Sequence, residues 1–273
     1  KILVDEPEKI RRAHREFLRA GADCVVTSSY QATPQGFQAA GLSEKRAEDL
    51  LRLTVELAAR AREEFWAGEE NRRWRVKPLV AASIGSYGAF LADGSEYRGN
   101  FGIDGRALAE FHRPRMRILA ESAADCLACE TIPSIAEARA LVKLLEEFPD
   151  REAWISFSCR DSLHLSSGER AVDAASALKD ARQVFAVGLN CVAPRHVAGL
   201  IGEFRRGAPD KKIVVYPNSG GEYDAASKRW SGGACAGFSE MAKAWRSAGA
   251  DFIGGCCRTT PEDIREIAGW ARA

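Results

Sequence analysis

Short apolar runs alternate with longer amphipathic stretches along the whole chain, and no low-complexity linker interrupts the rhythm. Pro7 suits a first helical position, and Ile10, His14, Phe17 and Leu18 carry one face on to a stop at Gly21. Residues 43–66 hold a second long helix, with Leu50, Thr54, Leu57, Ala61 and Phe65 on one stripe. Helices are also expected over 104–120, near 171–182, and from Ser134, where Glu137 three positions on makes a capping-box pattern. Thr260-Pro261-Glu262-Asp263 opens the last helix with a cap, a proline and acidic residues. Between the helices, residues 23–29, 79–85, 125–131, 153–159, 184–191, 213–218 and 251–256 read as strands.

One junction recurs. Gly21-Ala22-Asp23, Ala123-Ala124-Asp125 and Gly249-Ala250-Asp251 each join a helix end to an apolar strand. Such self-similarity argues for one repeated βα architecture and against two domains. The fold class expected is α/β, a (β/α)8 TIM-type barrel over residues 1–273, a length that suits it. The pattern supplies only seven strands after a lone helix, so the first barrel strand is expected upstream of Lys1 and the domain to be N-terminally incomplete. The alternative is an open doubly wound sheet. No Gly-x-Gly-x-x-Gly follows any strand, which removes that fold's usual nucleotide-binding rationale.

Composition narrows the function classes. The 39 basic and 38 acidic side chains leave a net charge of +1, which offers nothing to attract nucleic acid or an anionic membrane. No apolar run approaches a membrane span, and no signal peptide is visible at the start. A cytoplasmic protein acting on small molecules is expected, with no indication of oligomeric state. Eight cysteines in a core-rich chain of this size are better kept as thiols than as disulfides.

Barrel chemistry gathers where strands end at their C-terminal side. Those ends include Ser28-Ser29, Glu130-Thr131, Asn190-Cys191 and Cys256-Cys257. Three thiolates with an open fourth position make a catalytic zinc site. The neighbours Cys256 and Cys257 can share a metal only where the backbone leaves strand geometry, and Gly254-Gly255 supplies that freedom. All three cysteines equally suit packing as small buried hydrophobes, and spacing alone leaves both readings open. Cys126 and Cys129 lie three apart in a strand, on opposite faces, and read as core, as do Cys24 and Cys159. Cys235 stands in a Gly/Ala loop, and His14, His112, His164 and His196 show no ligand spacing. Glu130 ends an otherwise apolar strand, so its carboxylate needs a cation: a bound amino group, or a neighbouring Arg. Residues 93–99 form a polar loop, either a lid with substrate contacts or a solvated turn.

Several motifs together resemble one family. Ser29-Tyr30-Gln31-Ala32-Thr33-Pro34, Gly85-Ser86-Tyr87-Gly88-Ala89, Ala92-Asp93-Gly94-Ser95-Glu96-Tyr97-Arg98-Gly99, Cys129-Glu130-Thr131, Gly188-Leu189-Asn190-Cys191, Val215-Tyr216-Pro217-Asn218-Ser219-Gly220 and Gly254-Gly255-Cys256-Cys257-Arg258-Thr259-Thr260-Pro261 resemble the homocysteine S-methyltransferases. Within the family, the likeness is to the branch that uses S-methylmethionine as donor. It implies a (β/α)8 barrel with Zn(2+) on Cys191, Cys256 and Cys257, which would be both metal ligands and catalytic residues. It implies that Glu130 binds the homocysteine amino group, that Ser29 lies beside the bound amino acid, and that Asn190 belongs to the same substrate-binding set. Family members also begin with a strand carrying an Asp-Gly motif, which the visible chain does not contain.

The reaction so implied moves a methyl group from a sulfonium, S-methylmethionine or S-adenosylmethionine, to homocysteine, giving methionine. Tyr87, Tyr97 and Trp230 are candidates to face the sulfonium, or equally to pack. The rival expectations are selenocysteine as acceptor, or a catalytically inactive zinc-binding barrel.

Overall fold

A computed structural model describes residues 1–73, 75–224, 229–233 and 237–272. Its strands are β1 (Cys24–Val26), β2 (Leu79–Gly85), β3 (Cys126–Ile132), β4 (Ala153–Phe157), β5 (Val184–Asn190), β6 (Lys212–Tyr216), β7 (Glu222–Asp224), β8 (Arg229–Ser231) and β9 (Phe252–Ile253). Seven of them form one parallel sheet in chain order, β1-β2-β3-β4-β5-β6-β9, while β7 and β8 make a separate antiparallel pair. Side chains from β2 through β6, among them Ala81, Cys126, Trp154, Ala186 and Tyr216, pack into one cluster. Trp154 of β4 donates directly to Tyr216 of β6, across β5, as a curled sheet allows, and the seven strands form the arc of a β/α barrel.

Most helices expected from periodicity are present. Pro7–Ala20 ends on Gly21 at φ 116°, a left-handed C-cap that glycine adopts without a Cβ clash. Glu44–Trp66 starts at Ser43, whose hydroxyl accepts from Arg46 N–H; it buries Leu50 and Leu57, and its Val55, Ala58, Ala61 and Phe65 join the core cluster on the sheet's outer face. Thr260 and Asp263 close a reciprocal capping box ahead of Pro261–Ala271. At Ser134 only half of that motif forms. Its hydroxyl accepts from Glu137 N–H, but the Glu137 carboxylate accepts instead from Tyr87 N–H at 2.5 Å and pairs with His112 Nε2 at 2.8 Å. Among the described residues no helix is long and apolar enough to cross a membrane.

The outer strands are shorter than the sequence predicts. β1 pairs only with β2, and β9 only with β6, so each has a ladder on one side alone. Beyond Ile253 the chain leaves strand geometry, and Cys256 N–H donates to Pro217 O at 2.8 Å.

The recurring aspartates clamp the strand starts. Asp125 accepts from Val80 N–H at 2.7 Å and pairs with Arg62 at 2.5 Å. Asp251 accepts from Ile213 N–H at 2.9 Å and pairs with Arg205 and Lys212 at 3.0 and 3.2 Å. Asp23 pairs with Arg75 and Arg272 at 3.1 and 2.7 Å. Asp125 and Asp251 thereby satisfy backbone N–H groups that a strand start would otherwise leave open.

Candidate active site

At the opposite ends of the strands the backbone departs from ordinary conformations. Thr131, Cys191 and Arg258 adopt left-handed φ of 58°, 55° and 66°. Such a φ is costly for residues with a Cβ, most of all for a β-branched threonine, and must be held by its surroundings. At Thr131 the holding group is Asn190. Its Oδ1 accepts from Thr131 N–H at 2.7 Å and from Ser156 Oγ at 2.8 Å, and its Nδ2 donates to Thr131 Oγ1 at 2.7 Å. Asn190 is 1% exposed, so these contacts replace water entirely.

Immediately after Asn190 stands Cys191. Its Sγ lies 3.7 Å from that of Cys257, and Cys256 Sγ lies 4.0 Å from Cys257 Sγ. All three sulfurs fall within 4.8 Å of one another, a spacing at which they could hold a metal ion. The turn after β9 turns both neighbouring thiols to one side, stabilised by Thr259 N–H donating to Cys256 O. Gly255 permits it, because a Cβ there would fall 2.2 Å from Thr259. The trio shares protons unequally. Hydrogen bonds from Cys191 and Cys256 hold the Cys257 thiol down to about 3. Cys191 gains from Cys256, but Cys257 and burial push it up to about 12. Cys256 is raised well above the usual thiol range by Cys191, Cys257 and burial. Three sulfurs at this spacing, each polarised by its neighbours, are a donor set that could hold a soft cation.

Glu130 lies at the end of β3, 8% exposed. Burial pushes its carboxyl up to about 7, against hydrogen bonds from Ser83 and Tyr216. Its closest partner is Ser83 Oγ at 2.5 Å, and no arginine neutralises it among the described residues. Ser29 is fully buried and donates to Ser83 O at 2.8 Å, with Thr27 Oγ1 at 2.6 Å, so it supports the strand that carries Ser83. A second polar chain lines the interior: Trp154 Nε1 donates to Tyr216 Oη at 2.9 Å, and Tyr216 Oη meets Ser156 Oγ at 2.5 Å.

The aromatic candidates separate. Tyr97 Oη is 3.1 Å from Cys191 Sγ. Trp230 pairs with Tyr223 at 5.3 Å, and Tyr223 with Tyr97 at 6.2 Å, so a row of rings leads outward from the thiols. Arg258 covers the Trp230 ring at 5.7 Å. Tyr87 belongs elsewhere, packed edge-on to Phe101 and Phe111 at 5.3 and 4.8 Å. The other thiols stay apart: Cys126 joins the inner cluster, with Cys24 against it, while Cys129 and Cys159 face the outer core. Burial raises the pKa of all four. Cys235 lies outside the described residues. His112 sits in a buried triad with Arg115 and Glu137, His14 is buried, and His164 and His196 bond Asp161 and Ser162.

Sequence reasoning assigned no task to Tyr30, Thr131 or Tyr216. All three lie in the motifs that carry the resemblance, at or just beyond the C-terminal ends of strands, which is the signal that points to them.

A family model described as homocysteine S-methyltransferase matches residues 1–271. The chain is 56% identical to homocysteine S-methyltransferase YbgG of Bacillus subtilis, with 100% of this chain and 87% of that protein covered. It is 48% identical to the homocysteine S-methyltransferase of Escherichia coli, over 98% of this chain and 86% of the relative. The metallated form of the Escherichia coli homocysteine methyltransferase MmuM superposes with a TM-score of 0.88 at 42% identity, covering 99% of this chain and 87% of that one.

Proposed function

The chain belongs to the homocysteine S-methyltransferase family, and from that premise we propose that it methylates homocysteine from a sulfonium donor, S-methylmethionine in first place, with zinc held by Cys191, Cys256 and Cys257. The observation that carries this reading is the convergence of three sulfurs within 4.8 Å at the strand ends, next to a buried carboxylate without a cation. The donor set fits: three soft thiolates and, among the described residues, no further Cys, His, Asp or Glu in the group, the pattern of a zinc site with an open position. Zinc, when bound, supplies the Lewis acidity that keeps a coordinating substrate thiol deprotonated near neutral pH.

The protein's own groups bind and orient. Glu130 takes the α-ammonium of homocysteine, a cation that repays the cost of ionising a buried carboxyl. Ser83 and Ser29 keep that carboxylate in place, and Asn190 fixes Thr131 and the backbone leading into Cys191. In the methyl transfer, the homocysteine sulfur lone pair forms a bond to the methyl carbon while the donor's S–CH3 bond breaks. The released electron pair stays on the donor sulfur, which becomes a neutral thioether; with S-methylmethionine both products are methionine. No proton reaches the leaving group, so positioning is the main contribution required of the protein. The seven described cysteines are all free thiols, which supports a reducing, cytoplasmic setting. Residues 1–273 act in this reading as one homocysteine-binding domain.

Bound zinc and methionine formation, measured on the wild type and on Cys257→Ser with S-methylmethionine and S-adenosylmethionine side by side, test the proposal. Stoichiometric zinc with turnover, both lost in the variant, supports it. Turnover in a metal-free wild type would sink the zinc assignment, and turnover with S-adenosylmethionine alone would reassign the donor.

A further inference from the structure

A second buried carboxylate stands at the mouth of the site without a task. Glu96 lies in the short helical turn Ser95–Tyr97, in the polar loop after β2, and is 9% exposed. Its Oε2 is buried and has no hydrogen-bond partner. Arg98, the cation nearest in sequence, is bonded to Asp93 at 3.2 Å. A lone buried carboxylate oxygen is expensive, and beside a binding site a ligand can supply the missing partner.

The position of Glu96 is built. Its carbonyl accepts from Ser158 Oγ at 2.8 Å. Gly88 makes room for it, since a Cβ there would fall 2.3 Å from Glu96 N. The next residue, Tyr97, places its hydroxyl 3.1 Å from Cys191 Sγ. The buried Tyr30 phenol feels the negative charge of Cys191, Glu96 and Glu130, so all three lie within electrostatic range of one side chain. Two buried carboxylates, Glu130 at the end of β3 and Glu96 one residue before the tyrosine that reaches Cys191, thus stand by a site in which the proposed reaction brings two amino acids together, each with its own ammonium group.

We infer that Glu96 binds the α-ammonium group of the methyl donor, as the counterpart of Glu130 on the acceptor. The inference rests on the sulfonium-donor reading above. Of the donor's two positive charges, the ammonium is the one a carboxylate should hold. The sulfonium charge disappears as the methyl leaves, so an anion against it would stabilise the ground state over the transition state and slow the reaction. The ammonium charge persists throughout, and binding it lowers KM without raising the barrier. The sulfonium is left to the weaker attraction of the Tyr97 and Tyr223 ring faces.

The test is a kinetic comparison of wild type, Glu96→Gln and Glu96→Asp with two donors: S-methylmethionine, and dimethylsulfonioacetate, a sulfonium without an amino group. Glu96→Gln is expected to raise the KM for S-methylmethionine on the order of 10- to 100-fold, the range of a lost buried charge pair. Its saturated kcat, homocysteine KM and bound zinc should stay at wild-type values. Dimethylsulfonioacetate should be used equally by wild type and Gln variant, and Glu96→Asp should recover part of the S-methylmethionine affinity. The inference is overturned if the Gln variant matches wild type, if both donors suffer alike, or if the homocysteine KM moves instead. N-acetyl-S-methylmethionine gives a check on wild type alone, independent of how the variants fold: it must be a poor donor through KM, and equal use of it overturns the inference. A wild type that turns over no sulfonium at all would sink the proposed function itself, a result separable from every outcome confined to Glu96.

Discussion

The two ends of the barrel treat the same chemical groups in opposite ways. Where the strands begin, the carboxylates of Asp23, Asp125 and Asp251 are each matched by arginine, and two of them also take a neighbouring strand's N–H. The left-handed residues at those junctions, Gly21 and Gly249, are glycines, which carry no strain there. Where the strands end, Glu96 and Glu130 are buried without an ion pair among the described residues, three thiols crowd together, and Thr131, Cys191 and Arg258 hold left-handed φ. One end satisfies its charges internally and supports the fold. The other keeps carboxylates outside ion pairs and strained backbone in place, a pattern that suits the cationic ligands proposed for it.

That contrast breaks most sharply at the thiols. Replacing Cys257 by Ser should leave the chain folded but reduce turnover below about 1% of wild type, since even outer-shell changes at metal sites cost 10- to 100-fold; steady-state kinetics with metal analysis reads this.

Next in size is Asn190→Ala. It strands the buried Thr131 N–H and frees a strained residue, so stability should fall by about 1–3 kcal/mol and the homocysteine KM should rise, seen by denaturant melts and kinetics. A variant with wild-type KM would mean that Thr131 holds its conformation without help.

Asp251→Asn probes the other end. Backbone N–H from Ile213, with Lys212 and Arg205, outweighs partial burial and holds the Asp251 carboxyl below its ordinary value. A lowered folded pKa contributes stability above the unfolded value and loses it as pH falls through the folded one. The variant should therefore be less stable than wild type by about 1 kcal/mol at neutral pH, with the difference closing below roughly pH 4. Its kcat and zinc content should be unchanged; a loss of turnover at constant stability would erase the division between the two ends.

Smallest of all, Cys126→Ala removes one sulfur from the inner cluster and should cost at most about 1.5 kcal/mol, with bound zinc untouched.

Local signals in the chain were enough for the elements. Pro7, Gly21, Ser43 and the Thr260–Asp263 box mark helix ends through contacts three or four residues long, and these hold in the fold. The opposed faces of Cys126 and Cys129 follow from strand alternation alone. Where two uses compete for one side chain, short-range reading runs out. Glu137 forgoes its cap because Tyr87 N–H and His112 lie buried beside it, an arrangement formed by residues 25 and 50 positions away. The edge strands end early because each lacks a ladder on one side, which no local pattern encodes.

The amino-acid sequence by itself determined the βα rhythm, the helix caps, the strand ends where chemistry collects and, through its motifs, the family. The motifs also implied that Cys191 meets Cys257 across 66 residues, whereas tertiary structure alone decided that Tyr97 reaches Cys191 across 94 and that Asn190 locks Thr131 across 59. The physical reason is range. Caps and periodicity are energies of neighbours along the chain, whereas a site is made of contacts whose closure entropy is met only when the whole sheet has curled.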